Sequence, residues 1–313
     1  MSRTSRRTLL KGLACSAAVL AQARRAHAQF PVPNSAGTEA PKYEVPANAC
    51  DCHHHIYDAG RFPQPAEAKT PLQPNARVED YRLLKQRLGL TRSVIVTPSA
   101  YATDNRVTLD AISRLGPHAR GVAVISPGIS DAELKALDAG GIRGIRFSVS
   151  TTTITPATVE MIEKLSPRVA ALGWHTQFQT TAGQLLELKD VFQRLPTPMV
   201  FDHVAHVPPF GLDHPSYAII RSLIDKGRSW VKLSVTFDNT KDGRFDDVSS
   251  VAQAFVKDAP ERMVWGSNWP HPNEPSKPDD AVLLDLLARW APDDRVRHRI
   301  LVENPATLYG FAS

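Results

Sequence analysis

The feature that most constrains this chain is an alternation. From Asn48 onward, short apolar stretches of strand character alternate with amphipathic stretches of helix character, and no linker interrupts the series. Strand signals fall at Ala49–Ile56, Ser93–Thr97, Gly121–Ile125, Ile142–Phe147, His175–Gln179, Met199–His203, Trp230–Val235 and Arg262–Gly266. Helix signals lie between them, from Val78–Leu88 to Val248–Lys257, and two more helical stretches close the chain at Ala281–Trp290 and Arg295–Leu308. Eight strand-then-helix units over about 285 residues is the size of a single-domain (β/α)8 barrel, an α/β fold of the TIM type. A doubly wound open sheet is the competitor. It would use fewer units, and no glycine-rich dinucleotide fingerprint follows any strand.

The first 28 residues stand apart from this pattern. Ser5-Arg6-Arg7-Thr8-Leu9-Leu10-Lys11 resembles a twin-arginine export signal, a mildly apolar stretch runs from Leu9 to Ala23, and Ala26-His27-Ala28 has the small-x-small form of a signal-peptidase site. Cleavage as a lipoprotein at Cys15 is a poorer reading, because Gly12 stands where a large aliphatic residue belongs. The expectation is export in the folded state by the twin-arginine machinery, a periplasmic location and no stable membrane insertion. Residues 29–47, rich in Pro, Ala and Gly, read as an arm or linker, and 48–313 as the barrel.

Charge supports that division. The chain carries a net +5, which invites a nucleic-acid reading. However, six of its 37 basic residues lie in the first 28, where there is no acid. The remainder holds 31 basic against 32 acidic residues, so no nucleic-acid partner is expected. Cys50 and Cys52, at i and i+2 of one strand, have poor geometry for a disulfide and read as small buried residues.

In such a barrel, chemistry sits at the carboxyl ends of the strands. Strand alternation puts Asp51, His53 and His55 on one face of the first strand, and Cys50, Cys52, His54 and Ile56 on the other. Two imidazoles at i and i+2 can converge on a metal ion or on a carbonyl oxygen. The second strand ends at Ser99 and Tyr101, and the fourth brings Arg146 to the mouth as an anchor for a substrate carboxylate. The fifth shows Gln177 on a polar face, and the sixth ends in His203. His206 and His214 read as rim residues. Lys232 on the seventh strand, if it points inward, is a buried cation in need of a partner.

Taken together, Asp-Cys-His-His-His-Ile, His203 and Trp265-Gly266-Ser267-Asn268-Trp269-Pro270-His271-Pro272 resemble the amidohydrolase superfamily, in particular its amidohydrolase-2 branch of lactone hydrolases and lactone isomerases. The resemblance runs from the first strand to Asn304-Pro305-Ala306-Thr307-Leu308-Tyr309-Gly310-Phe311. It implies a barrel acting on a small-molecule lactone or related carboxylate. Most of the family ends the eighth strand in an Asp that serves as metal ligand or base. Here Asn268 stands in that place, and a neutral amide is a weaker ligand and cannot take up a proton near neutrality. No lysine follows Arg146 at the fourth strand's mouth to bridge two metals.

The expectation is therefore a metal-independent reaction. If a divalent ion such as Zn²⁺ does bind weakly, His53, His55 and His203 are its ligands. In the metal-free reading those three histidines polarise the carbonyl and Asn268 orients the nucleophile. His271 is the candidate proton acceptor, and Ser99, Arg146, Gln177 and Lys232 contact substrate. Attack by water gives a lactonase; attack by a substrate hydroxyl gives a lactone isomerase and asks less of a base. A lyase or decarboxylase, or a non-catalytic sugar-acid binder, are the remaining readings.

Overall fold

In the computed structural model the described residues are 30–149, 157–236, 240, 245–272 and 274–312. The export-signal segment and Ser150–Thr153 lie outside them, as do residues 237–239, 241–244 and 273.

Eight parallel strands form one sheet in sequential order: β1 (Cys50–His54), β2 (Arg92–Val96), β3 (Ala119–Ala123), β4 (Ile142–Ser148), β5 (His175–Gln179), β6 (Met199–Phe201), β7 (Ser229–Leu233) and β8 (Met263–Trp265). Helices separate them, so each crossover returns the chain to the same edge, as a (β/α)8 barrel requires. The helical connection between β5 and β6 is two short helices, Ala182–Glu187 and Lys189–Arg194, with Leu188 as the joint. Among the described residues no helix is long and apolar enough to cross a membrane.

Hydrophobic burial explains the layers. The outer shell of the sheet packs on the helices through residues such as Leu84, Ile112, Leu165, Phe192, Leu223 and Phe255. The bottom of the barrel interior is a separate dry layer of Cys50, Cys52, Val94, Val96, Val122, Val200 and Val264, closed from below by Tyr309 and Phe311. Apolar side chains from β1, β2, β3, β6 and β8 fill most of the lower barrel, where the buried His175 ring meets Tyr309 edge-on at 5.3 Å, and the charged side chains gather at the upper end.

The seam between β8 and β1 is joined by other means. The Asn268 N–H donates to the His53 carbonyl and the His55 N–H to the Trp269 carbonyl, each at 2.8 Å. Between them the Asp51 carboxylate accepts from Ser267 N–H (2.9 Å), Ser267 Oγ (2.7 Å), His53 N–H (3.0 Å) and Tyr81 OH (3.0 Å). Gly266 permits this approach: a Cβ there would lie 2.6 Å from the His53 Cβ.

The seam also corrects the expected faces of β1. Its pairing with β2 shifts register between Asp51 and His54. Cys50 and Cys52 pack inside the barrel, while Asp51 reaches outward to Tyr81 and His54 stacks on the same ring at 3.5 Å between centroids. His53 then turns inward directly after Cys52, as a β-bulge allows, so strict alternation fails by one residue.

The arm is part of the body. Val32 is buried, the Trp269 indole donates to the Pro33 carbonyl, and Ser35 bonds the Asp280 N–H and the Arg87 guanidinium.

Candidate functional site

Above the valine layer, polar side chains from five strands meet. Asp202, immediately after β6, is the hub. Its Oδ1 lies 3.1 Å from His53 Nδ1 and 3.5 Å from Lys232 Nζ. Its Oδ2 accepts from Arg146 Nε and Gln177 Nε2, each at 3.0 Å. Lys232 Nζ also donates to Gln177 Oε1 at 2.7 Å and stands 3.3 Å from His53 Nδ1. His53 Nε2 is 3.3 Å from His55 Nε2, and His55 Nδ1 is 2.8 Å from the Val96 carbonyl. His203 Nδ1 is 3.0 Å from Ser234 Oγ.

All of these groups are buried, and burial sets their charge. Desolvation holds His53 and His203 well below the usual imidazole range and His55 down to about 3, so all three are neutral near pH 7. Desolvation likewise lowers Lys232. For Asp202, burial pushes up, but His53, Lys232 and Arg146 together hold the carboxyl well below its ordinary value.

A cavity of about 210 Å³ opens above this network, lined by His55, Tyr57, Ser99, Arg146, Gln179, His203, His206, Thr236, Asn268 and Glu274 among others. The cavity brings together His55, Ser99, Arg146, His203 and Asn268. Gln177 and Lys232, expected to contact substrate, lie fully buried beneath its floor, because the charged hub consumes their polar atoms. His53 is also beneath the floor, behind His55. His271 is buried away from the cavity with Nε2 3.1 Å from Asp280 Oδ1, and its carbonyl accepts from Lys277 Nζ at 2.7 Å. The turn explains its position: Asn268 and His271 both have positive φ around the cis Trp269–Pro270 bond, and the His271 N–H closes on the Asn268 carbonyl at 2.8 Å.

Three residues escaped the sequence reading. Asp202 was masked by its neighbour His203, although an acid at a strand end among apolar residues is itself a signal. His206, read as rim, is carried onto the wall by four successive left-handed residues, His203–His206, a conformation that L-residues adopt at a cost. Glu274 sits in a loop that no periodicity organises.

A sequence-family profile described as amidohydrolase matches residues 50–311. The chain belongs to the amidohydrolase family. Among curated relatives of this amidohydrolase, a 2-pyrone-4,6-dicarboxylate hydrolase of Comamonas testosteroni is 34% identical, covering 88% of this chain and 94% of that protein. A D-galactarolactone isomerase of Agrobacterium fabrum is 31% identical, covering 86% and 94%. Among solved structures, an Agrobacterium tumefaciens protein superposes with a TM-score of 0.80 at 30% identity, over 87% of this chain and 99% of that one.

His53, Asp202 and His203 form a group whose donor atoms lie within 4.8 Å of one another, the kind of cluster that can hold a metal ion. The His53–His55 spacing alone would suit zinc, since two nitrogens each about 2.0–2.1 Å from a tetrahedral ion are about 3.3–3.4 Å apart. The rest of the donor set does not fit. Both Asp202 oxygens already face two donors each, filling a carboxylate's roughly four acceptor positions. An ammonium already stands within 3.5 Å of two of the would-be ligand atoms.

Proposed function

We propose that this amidohydrolase opens a lactone that carries a carboxylate, by hydrolysis. One observation carries the reading: a single cavity brings together the neutral imidazoles of His55 and His203, the Arg146 guanidinium, the Asn268 amide and the Glu274 carboxylate. Arg146 keeps Nε on Asp202 and offers the rest of its fork to the substrate carboxylate. With Ser234 donating to Nδ1, His203 carries its proton on Nε2 and donates to the carbonyl oxygen as negative charge grows there. Asn268 orients the attacking oxygen through its amide.

The proton acceptor is Glu274. Among the described residues lining the cavity it is the one carboxylate, six positions after Asn268. Its loop is braced by the His271–Asp280 pair and by His271 O, which also accepts the Glu274 N–H at 3.2 Å. His271 thus acts on the site through the loop and does not itself take the proton.

The isomerase reading is favoured by Asn268, since an internal hydroxyl at high effective concentration needs less base than water does. The twin-arginine motif at Arg6-Arg7 supports a periplasmic site for either reaction.

The test uses a panel of carboxylated lactones in ¹⁸O-water with mass detection. Hydrolysis adds one labelled water to the product; isomerisation leaves the mass unchanged. No turnover of any lactone would remove both readings. Glu274→Gln is expected to lower kcat by about 10²–10⁴-fold, with partial recovery in Glu274→Gln/Asn268→Asp. Wild-type kcat in Glu274→Gln would discard Glu274 as the base.

A further inference from the structure

The mouth of the barrel divides into two chambers of opposite character. The polar cavity above the hub draws His55, Arg146, His203 and Asn268 from the ends of β1, β4, β6 and β8. A second cavity, of about 400 Å³, lies at the carboxyl ends of β2, β3 and β4. Thr70, Ser99 and Arg146 line both, so the chambers adjoin and one guanidinium stands on their common wall.

The chain explains why the second chamber is apolar. β3 runs on into Val124 and Ile125 and carries no polar side chain at its end. The Val124 backbone is already satisfied: its N–H donates to Asn105 Oδ1 at 3.0 Å, and its carbonyl accepts from Asn105 Nδ2 at 2.8 Å. Phe147, the residue after Arg146, is a buried ring stacked on Phe178 at 5.6 Å between centroids. Ala157 and Met161 line the chamber from the start of the helix Val159–Ala170 and just before it. Both are half-buried, as is Val124, so apolar surface stands open there. Among the described lining residues the charged ones besides Arg146 are Glu67 and Lys69, and both are exposed. An apolar cavity of about 150 Å³ holds a benzene ring, so this one has room for a ring or for a chain of several carbons.

We propose that the second chamber is a substrate subsite that receives an alkyl or aryl arm borne by the carboxylated lactone, so that the protein selects amphipathic lactones over small, wholly polar ones. The identity of the ring rests on the lactone reading above; the arm rests on the chamber itself. A ligand whose carboxylate is held by Arg146 reaches both sides, with its carbonyl in the polar cavity and its arm in the apolar one. Each methylene covered there is worth about three- to fourfold in binding. Met161, flexible and polarizable, adapts to arms of different width.

The experiment reads the preference with and without turnover. In one arm, kcat/KM is measured for γ-butyrolactone carboxylates whose ring bears hydrogen, methyl, propyl, pentyl or phenyl. In the other, titration calorimetry follows binding of the straight-chain carboxylates from butanoate to octanoate. Both quantities are expected to rise about three- to fourfold per methylene until the chamber is full, with one-to-one binding and a negative heat-capacity change. Ala157→Phe, which fills the chamber, and Met161→Glu, which places a charge in it, are expected to flatten both series, whereas Met161→Leu keeps them. A flat carboxylate series in the wild type, or lactones turned over without regard to the arm, overturns the subsite. So does a rising series that folded Ala157→Phe and Met161→Glu leave unchanged. The wild-type series decide alone if neither variant folds. Carboxylate affinity that rises while no lactone is turned over keeps the subsite and removes the lactone reading; turnover that ignores the arm does the reverse.

Discussion

Two buried aspartates, Asp51 on β1 and Asp202 directly after β6, behave oppositely. Each is fully buried and each faces four polar partners. Asp51 is met by neutral donors: a hydroxyl and an amide of Ser267, a phenol and one more amide. Burial outweighs them and pushes its carboxyl up to about 6. Asp202 is met by a guanidinium and an ammonium as well as by His53 and Gln177, and is held well below its ordinary value. Hydrogen-bond number is therefore not what sets the charge of a buried acid; the formal charge of the donors decides it. Asp51 closes a seam, and Asp202 organises a site.

The comparison breaks most severely at Asp202. Asp202→Asn leaves Arg146 and Lys232 buried without a counter-charge and is expected to cost about 3–5 kcal/mol in chemical denaturation, with loss of turnover. A stable, active Asp202→Asn would mean that the two cations find other partners and that the hub is not a hub.

Asp51 gives a smaller effect with a distinctive pH signature. Its folded value of about 6 lies above the 3.8 of a free carboxyl. A raised value means that its contribution is full below pH 4 and is lost as pH rises toward 6, because the unfolded chain releases the proton first. The expected loss is about 3 kcal/mol. Asp202, with a lowered value, contributes above pH 4 and loses its contribution on acidification. Denaturant titrations of wild type and Asp51→Asn between pH 4 and 6.5 separate the two. The slope attributable to Asp51 should vanish in the variant, and parallel curves would show that its proton is not released differently on unfolding. At pH 7 the variant is expected to lose about 1–3 kcal/mol from the seam with the cavity residues still in place.

The smallest effect sharpens the contrast between seam and site. Ala205 lies in the left-handed run that carries His203 and His206, with φ 55° and ψ 21°. Ala205→Gly is expected to stabilise the fold by about 1 kcal/mol, read as a rise in Tm. A fall in Tm would show that packing of the methyl outweighs the backbone strain.

Much of this molecule is legible in its sequence. The strand–helix alternation fixed the barrel because hydrophobic period is a local property, and β5 and the helix Val78–Leu88 fall where their patterns put them. The histidine run after Cys52 and the Asn at the end of β8 pointed to the mouth and to the missing carboxylate. Three particulars were not legible. The bulge in β1 moved Asp51 to the outside through pairing with β2 and β8, which no single strand encodes. Lys232 and Gln177 point inward, as their strands allowed, yet they turn to Asp202 and not to the cavity. His271 reads as a candidate base by its chemistry alone, until Asp280 and the arm bury it.

What the sequence determined by itself was the fold, the family and the inventory of reactive groups, because these follow from periodicity and from residue identity along the chain. What only the tertiary structure decided was which groups share an atom. Asp202 gathers partners from β1, β4, β5 and β7, whose separations in sequence reach 149 residues. Charge state and choice of hydrogen-bond partner depend on distances of about 3 Å between such groups, and folding alone brings them that close.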